Sequence, residues 1–188
     1  MNNSFHPTAI ISEKAQIDKS SYIGPFCVVG PNVKIGKNCK LISNITIQGN
    51  TTLKNPTHQI NIGLVGKYVE LNDSYKSILE SLIHAGTENE VKVNVKSIHS
   101  EYLDKENINK KLIDLDGIIV APGFGQRGLD GKILAVEYAR VNKIPFLGIC
   151  LGMQMAVIEY ARNVKKIRYA NSTEISEKCK DPVIDLMT

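Results

Sequence analysis

Through Leu53 the chain repeats every six residues. Aliphatic side chains stand at Ile11, Ile17, Ile23, Val29, Ile35, Leu41, Ile47 and Leu53. Two residues before each stand Ala9, Ala15, Ser21, Cys27, Val33, Cys39, Ile45 and Thr51, mostly small. Eight consecutive matches argue against chance. A period of six is the signature of a β-helix, in which each hexad supplies one flat face of a coil. The aliphatic residue fills the interior and the small one leaves room beside it. Gly24, Gly30, Gly36 and Gly49 are expected at the tight corners. The alternative, a small antiparallel β domain, does not explain a strict six, because its pattern alternates by two.

The period stops at Leu53. Lys54-Asn55-Pro56-Thr57-His58 is polar and holds a proline, so residues 54–60 read as a linker between a repeat segment, 1–53, and a second segment, 61–188. There the pattern changes in kind. Asn61 to Val65 is a short apolar strand. Ser74 to Ala85 has helical spacing (Tyr75, Ile78, Leu79, Leu82, Ile83) with Gly86 as its stop. Val91 to Ile98 alternates as a strand, Gly117 to Ala121 is an apolar strand, and Leu129 to Val141 is helical. Ile144 to Leu147 is a strand and Leu151 to Arg162 a helix. Strands alternating with helices imply a parallel sheet covered by helices. Sites in such sheets lie beyond the C-terminal strand ends, where Gly123 and Cys150 fall.

Gly148-Ile149-Cys150-Leu151-Gly152 joins a strand to a helix through a turn that carries a thiol. This is the arrangement of a nucleophile elbow with Cys in place of Ser. The flanking glycines permit a tight turn and close backbone approach. A helix N-terminus favours the thiolate. The bland alternative is a buried structural Cys. A thiolate attacking an amide needs two N–H groups for the developing oxyanion, here from Leu151 and Gly123. It also needs a base and acid, usually His, to activate the thiol and protonate the leaving amine. Without Cys150 nearby, Pro122-Gly123-Phe124-Gly125 would read as an ordinary strand-to-helix loop.

Composition narrows the classes. The 188 residues suffice for one or two domains, and 43% hydrophobic with 22% charged residues is ordinary for a globular protein. No apolar run approaches a membrane span, and the N-terminus has no secretory pattern. Cys27, Cys39, Cys150 and Cys179 show neither metal-ligand nor disulfide spacing, so no metal is expected and a reducing cytoplasm fits best. The net charge of +4 is mild, and no basic run or basic-aromatic cluster points to nucleic acid.

Two resemblances add to this reading. His6-Pro7-Thr8-Ala9-Ile10, Ile23-Gly24-Pro25-Phe26-Cys27-Val28-Val29-Gly30-Pro31 and Gly49-Asn50-Thr51-Thr52-Leu53 resemble the start of the UDP-N-acetylglucosamine acyltransferase family of lipid A biosynthesis. That family implies a left-handed β-helix of many coils, assembled as a trimer. Its catalytic histidine belongs to a later coil, and His6 is not that base.

The second resemblance covers residues from about Asn55 onward. Its marks are Ile62-Gly63-Leu64-Val65-Gly66-Lys67-Tyr68-Val69-Glu70-Leu71, Tyr75-Lys76-Ser77, Gly123-Phe124-Gly125-Gln126-Arg127-Gly128, Gly148 to Gln154 and Asn171-Ser172-Thr173-Glu174. These resemble the glutaminase domain of the CTP synthase family, a class I glutamine amidotransferase. The resemblance implies that Cys150 forms a glutamyl thioester and that Gly123 and Leu151 donate to the oxyanion. Phe124, Gly152, Met153, Gln154 and Glu174 become contacts to glutamine, Glu174 to its ammonium. Arg127 and Gly128 fall in the loop the family links to GTP activation. The complete synthase uses ATP and Mg²⁺ with GTP as activator; no cofactor is expected in this chain.

The departures are as informative. The family's triad histidine and glutamate come late, as His-x-Glu, and no histidine follows Cys150; the four are His6, His58, His84 and His99. The family's late arginine contact to glutamine is missing too, and the β-helix stands where the ATP-using domain would be.

The expected fold is therefore α/β: a short left-handed β-helix followed by an incomplete parallel class I glutaminase domain, the two pieces joined near Leu53-Lys54. The expected function is a CTP synthase-type glutamine amidotransferase, inactive without the triad His and Glu, with L-glutamine as its ligand. The alternatives are the acyltransferase and a non-catalytic glutamine-binding module.

Overall fold

A computed structural model describes residues 4–71 and 73–185. The chain forms two compact units. One is built from Met1–His58 with Gly86–Lys92, the other from Gln59–Ala85 with Val93–Thr188.

The first unit holds eight two-residue strands: β1 (Ile10–Ile11), β2 (Gln16–Ile17), β3 (Tyr22–Ile23), β4 (Val28–Val29), β5 (Lys34–Ile35), β6 (Lys40–Leu41), β7 (Thr46–Ile47) and β8 (Thr52–Leu53). β1 to β5 each pair in parallel with the strand three further on, giving the stacks β1-β4-β7, β2-β5-β8 and β3-β6. The register is eighteen residues: Ile10 faces Val28, Gln16 faces Lys34 and Tyr22 faces Lys40. Three hexads thus make one turn of the chain, and the repeat positions stack in columns. Ile23, Cys27, Val29, Val33, Ile35, Cys39 and Leu41 are buried. Ile11, Ile17, Ile47 and Leu53 at the two ends are only partly so, having neighbours on one side.

The glycines do not take the role expected of them. Of the four, only Gly49 has a positive φ (73°); Phe26, Asn38 and Asn44 turn corners with φ of 57°, 55° and 53°. Gly24 instead lies under the next turn, where a Cβ would run into the carbonyl of Ile42. Small size is needed for stacking, and the asparagines tolerate the left-handed corner.

The second unit holds an α/β sheet. Its elements are β9 (His58–Gly66), α1 (Lys76–Glu88), β10 (Val91–His99), a 3-10 turn (Ser100–Tyr102), α2 (Ile108–Leu112), β11 (Gly117–Val120), α3 (Leu129–Asn142), β12 (Phe146–Gly148), α4 (Leu151–Asn163), β13 (Ala170–Ser172) and β14 (Asp181–Ile184). The ends of β9, α1 and β10 at His58, Gly86–Glu88 and Val91–Lys92 fall in the first unit. The main sheet has the order β10-β9-β11-β12, and β11 runs parallel to both its neighbours. Alternate side chains of β11 feed two cores. Ile118 and Val120 pack with Ala135, Val136, Ala139, Leu151, Met155 and Ile158 of α3 and α4. Ile119 packs with Leu64, Tyr75 and Ala121. Burial on both faces is what a continuous apolar strand in a parallel sheet implies.

Several boundaries differ from expectation by one to three residues, β12 for instance running over Phe146–Gly148 rather than Ile144–Leu147, and two of the differences are informative. β9 begins at His58, inside the segment read as a linker. Its early residues are exposed, and it is held by hydrogen bonding rather than burial: the Asn61 N–H donates to Asp116 Oδ2 at 2.7 Å. α1 continues through Gly86 to Glu88. A single helical glycine costs only about 1 kcal/mol and need not end a helix.

Candidate active site

β12 ends at Gly148 and α4 begins at Leu151, leaving Cys150 on the turn between them with φ 52° and ψ −111°. Its side chain is exposed. A non-glycine residue held there stores roughly 1–3 kcal/mol of strain, a state that persists only where the surroundings enforce it. Two contacts enforce it. The Ile149 N–H donates to the Val120 carbonyl at 3.0 Å, tying the turn to β11. The Cys150 carbonyl accepts from Met153 and Gln154 at 3.0 and 3.1 Å and so starts the helix. Gly152 permits this packing, because a Cβ there would collide with the Val120 carbonyl.

Beyond β11 the chain runs through Ala121-Pro122-Gly123-Phe124-Gly125. Among the described residues, neither the Gly123 nor the Leu151 N–H donates a hydrogen bond within the chain. The two residues are neighbours: a Cβ on Gly123 would lie 3.8 Å from Leu151 Cδ2. A pair of free backbone donors therefore accompanies the thiol.

Two buried lysines serve this loop. Lys132 of α3 is fully buried, and its Nζ donates to the carbonyls of Ala121 at 2.6 Å and Pro122 at 3.3 Å. Burial, reinforced by the Lys67 charge and opposed by Cys150, lowers its pKa to about 8. Lys67, just past β9, is 3% exposed and donates to the carbonyls of Phe124 at 2.6 Å and Gly125 at 2.5 Å. Burial and then the Arg127 charge hold its pKa below the usual lysine value, against Glu101. The sequence pattern gives neither lysine a role. The available signal was Lys132 on the buried helical face shared by Ala135, Val136 and Ala139.

Gln154 is buried, and its Nε2 donates to Glu174 Oε2, so these two expected glutamine contacts meet. The Gln154 Oε1 is buried without a partner among the described residues. The Glu174 N–H donates to Ser172 Oγ at 3.2 Å, and Gln126 Nε2 reaches the Ile175 carbonyl at 3.2 Å, linking the two loops. Phe124 is 77% exposed and Met153 56% exposed. Arg127 Nε pairs with Glu101 Oε1 at 2.7 Å. Gly128 has φ 70° and directly precedes α3, and a Cβ there would meet Ser100 Oγ.

With no histidine after Cys150, a replacement base would come from earlier in the chain, and His99 stands at a strand end of this sheet. It ends β10, at the opposite edge of the sheet from β12. Three strand spacings separate them, about 14 Å. Its Nδ1 accepts from the Glu101 N–H and its ring stacks on Tyr102, with centroids 4.5 Å apart.

The exposed Cys150 thus stands in a strained turn at a helix N-terminus, with the Gly123 and Leu151 N–H groups free of partners among the described residues at the ends of neighbouring parallel strands. The model of the family described as class I glutamine amidotransferases matches residues 70–183, and the chain belongs to that family. A model of bacterial hexapeptide transferases, built of six repeats, matches residues 8–43.

Among individual proteins, the CTP synthase of Christiangramia forsetii is 66% identical over 134 residues, 71% of this chain and 24% of that protein. The CTP synthase of Methanocaldococcus jannaschii is 57% identical over 140 residues, 71% of this chain and 26% of that protein. The chain thus spans about a quarter of the length of the curated relatives it matches. The glutaminase domain of Trypanosoma brucei CTPS, solved with bound acivicin, superposes with a TM-score of 0.64 at 39% identity, covering 68% of this chain and 50% of that one. No described helix is long and apolar enough to cross a membrane.

Proposed function

We propose that the second unit carries the nucleophilic half of a CTP synthase-type glutaminase site. The observation that carries this reading is the unpaired Gly123 and Leu151 N–H groups beside Cys150 in its strained turn. The Cys150 thiolate adds to the side-chain amide carbon of glutamine. The carbonyl oxygen becomes an oxyanion and takes the two N–H groups. Collapse breaks the C–N bond, and the nitrogen takes up a proton and leaves as ammonia, giving a γ-glutamyl thioester. Water then releases glutamate and restores the thiol. Gln154 and Glu174 hold the glutamine head group, the carboxylate facing its ammonium. The resemblance of residues 62–71 and 171–174 to CTP synthase, and the identities above, support ammonia supply to UTP as the purpose of the whole enzyme.

The chain supports negligible turnover, while its Cys150 thiol stays reactive toward glutamine-like electrophiles. Both the departing nitrogen and the attacking water need a proton carrier, and the placement of His99 argues against it. The test is ammonia release from glutamine by this chain and by Cys150→Ala, with the thioester sought by intact mass. Multiple turnovers that depend on Cys150 contradict the loss of turnover. A Cys150 that glutamine and its reactive analogues leave untouched contradicts the site itself.

The repeat segment is proposed to be a left-handed β-helix of the hexapeptide type, and the chain to join two pieces of different descent near Leu53-Lys54. The separate family matches, at residues 8–43 and 70–183, support this. Sequencing the locus across codons 50–57 tests it: a read through the junction supports a real fusion, and failure to recover one identifies an artefact.

A further inference from the structure

We propose that Lys132 and Lys67 are positioning residues for the oxyanion hole: they hold the four carbonyls of Ala121, Pro122, Phe124 and Gly125 and thereby present the Gly123 N–H to an adduct on Cys150. This rests on the glutaminase reading above and assigns that site two residues that touch neither substrate nor thiol.

The geometry follows from the peptide unit. In a trans peptide the carbonyl and the next residue's N–H point in opposite directions. The Pro122 carbonyl accepts from Lys132 Nζ, which is buried at the end of α3's apolar face. The Gly123 N–H shares that peptide plane, so it points away from the core lysine. Lys132 fixes the preceding carbonyl, Ala121, as well. On the far side of Gly123, Lys67 takes the Phe124 and Gly125 carbonyls. The loop is thus pinned on both flanks of the one residue whose donor the chemistry needs. A flip of the Pro122–Gly123 peptide would swing that N–H inward. It would also strip the Lys132 ammonium of an acceptor in a site where water does not replace it.

An ammonium suits this task better than an apolar side chain. Hydrogen bonds from charged donors are roughly twice as strong as neutral ones. Two ammoniums among four carbonyls also resist the rotation that a catalytic loop of two glycines otherwise permits. The cost is visible in Lys132, whose proton is held less tightly than in water because of its burial. Keeping two charges in that environment merely to fill space is poor economy, since a methionine of similar length packs without it.

The experiment compares two electrophiles on Cys150 by intact mass. A chloromethyl ketone analogue of glutamine alkylates Cys150 as the thiolate displaces chloride, and its ketone oxygen engages the oxyanion donors. Iodoacetamide reports the thiolate with little demand on that hole. The ratio of the two rates cancels any change in thiolate fraction. The proteins are wild type, Cys150→Ala, Lys132→Met and Lys67→Met, with far-UV circular dichroism for each.

The expected result is a ratio lowered about tenfold or more in each lysine variant, given that losing one oxyanion donor outright costs roughly 100-fold to 1000-fold. An unchanged ratio in a folded variant overturns the inference. If one variant unfolds, the other decides. If both unfold, the lysines hold the core rather than the loop and the inference falls. Wild type that the ketone does not label at Cys150 refutes the glutaminase reading itself, a separate outcome.

Discussion

The guanidinium of Arg140 grips both oxygens of the buried Glu159 carboxylate. Its Nε donates to Oε1 and Oε2 at 3.1 and 3.0 Å, and one Nη donates to Oε1 at 2.7 Å. The pair bolts α3 to α4, the helix whose first turn follows Cys150. Asn163 adds a third donor at 2.9 Å. Arg140→Met leaves a carboxylate that is 1% exposed without its counter-charge. A loss of about 3 kcal/mol is expected, the lower end for breaking a buried pair, because Arg140 itself is partly exposed. Arg140→Met with Glu159→Leu should recover most of it. Urea unfolding measures both, and a double variant no better than the single one contradicts the account.

Gly152 sets how closely α4 approaches β11. Gly152→Ala places a methyl against the Val120 carbonyl and has no side-chain rotation with which to escape. Overpacking of this kind costs roughly 1–3 kcal/mol. Because the same contact braces the Cys150 turn, alkylation of Cys150 by a glutamine-like ketone should slow as well. Normal stability with normal labelling would show that the turn does not depend on this contact.

The burial of Lys132 makes stability depend on alkaline pH. Its folded pKa of about 8 lies below the ordinary 10.5. Between those values the unfolded chain holds a proton that the folded one has released, so stability rises with pH. The penalty is full below about pH 8 and is relieved as pH approaches 10.5. Lys67 shifts in the same direction and contributes in the same sense. Denaturant unfolding from pH 7 to pH 10.5 should show wild type gaining on Lys132→Met as pH rises. A gap that stays constant or moves the other way counts against the charge state assigned to this lysine.

In the repeat segment, Gly24→Ala should disturb the stacking of successive turns. Its Cβ would meet the Ile42 carbonyl, a backbone atom that moves only with its whole turn. A cost of roughly 1–3 kcal/mol is expected. Amide exchange should accelerate at Gly24 and Val28, which donate across the stack to Leu41 and Ile45. Gly49→Ala probes the contrasting case: nothing lies within 4 Å of its Cβ position, and only its φ of 73° resists the change. Equal effects at Gly24 and Gly49 would erase the distinction between crowding and backbone angle.

Much of this was legible in the chain. The six-residue columns, the order of strands and helices, and the elbow at Cys150 all follow from side-chain periodicity and turn chemistry. What escaped has physical causes. The spacing points the repeat glycines to corners because glycine serves both bends and close approaches, and only the folded chain separates the two. β9 reaches back to His58 because backbone pairing extends a strand past its apolar stretch. The short β13 and β14 pair with each other and carry too few residues for a period to register. Lys132 and Lys67 escaped because their partners are carbonyls, which no side-chain pattern records.

The eighteen-residue register of the repeat has a consequence for lineage. Each turn touches only the one before it and the one after, so the stack contains no information about how many turns it should have. A solenoid of this kind has no proper length, unlike a sheet whose central strand must be flanked on both sides. If the repeat segment is the β-helix proposed above, recombination would graft several rungs onto a foreign sequence without disturbing the rungs beneath. On the reading proposed above, the same indifference would let such a ladder stand in one polypeptide with a glutaminase fold and need no shared ancestry with it.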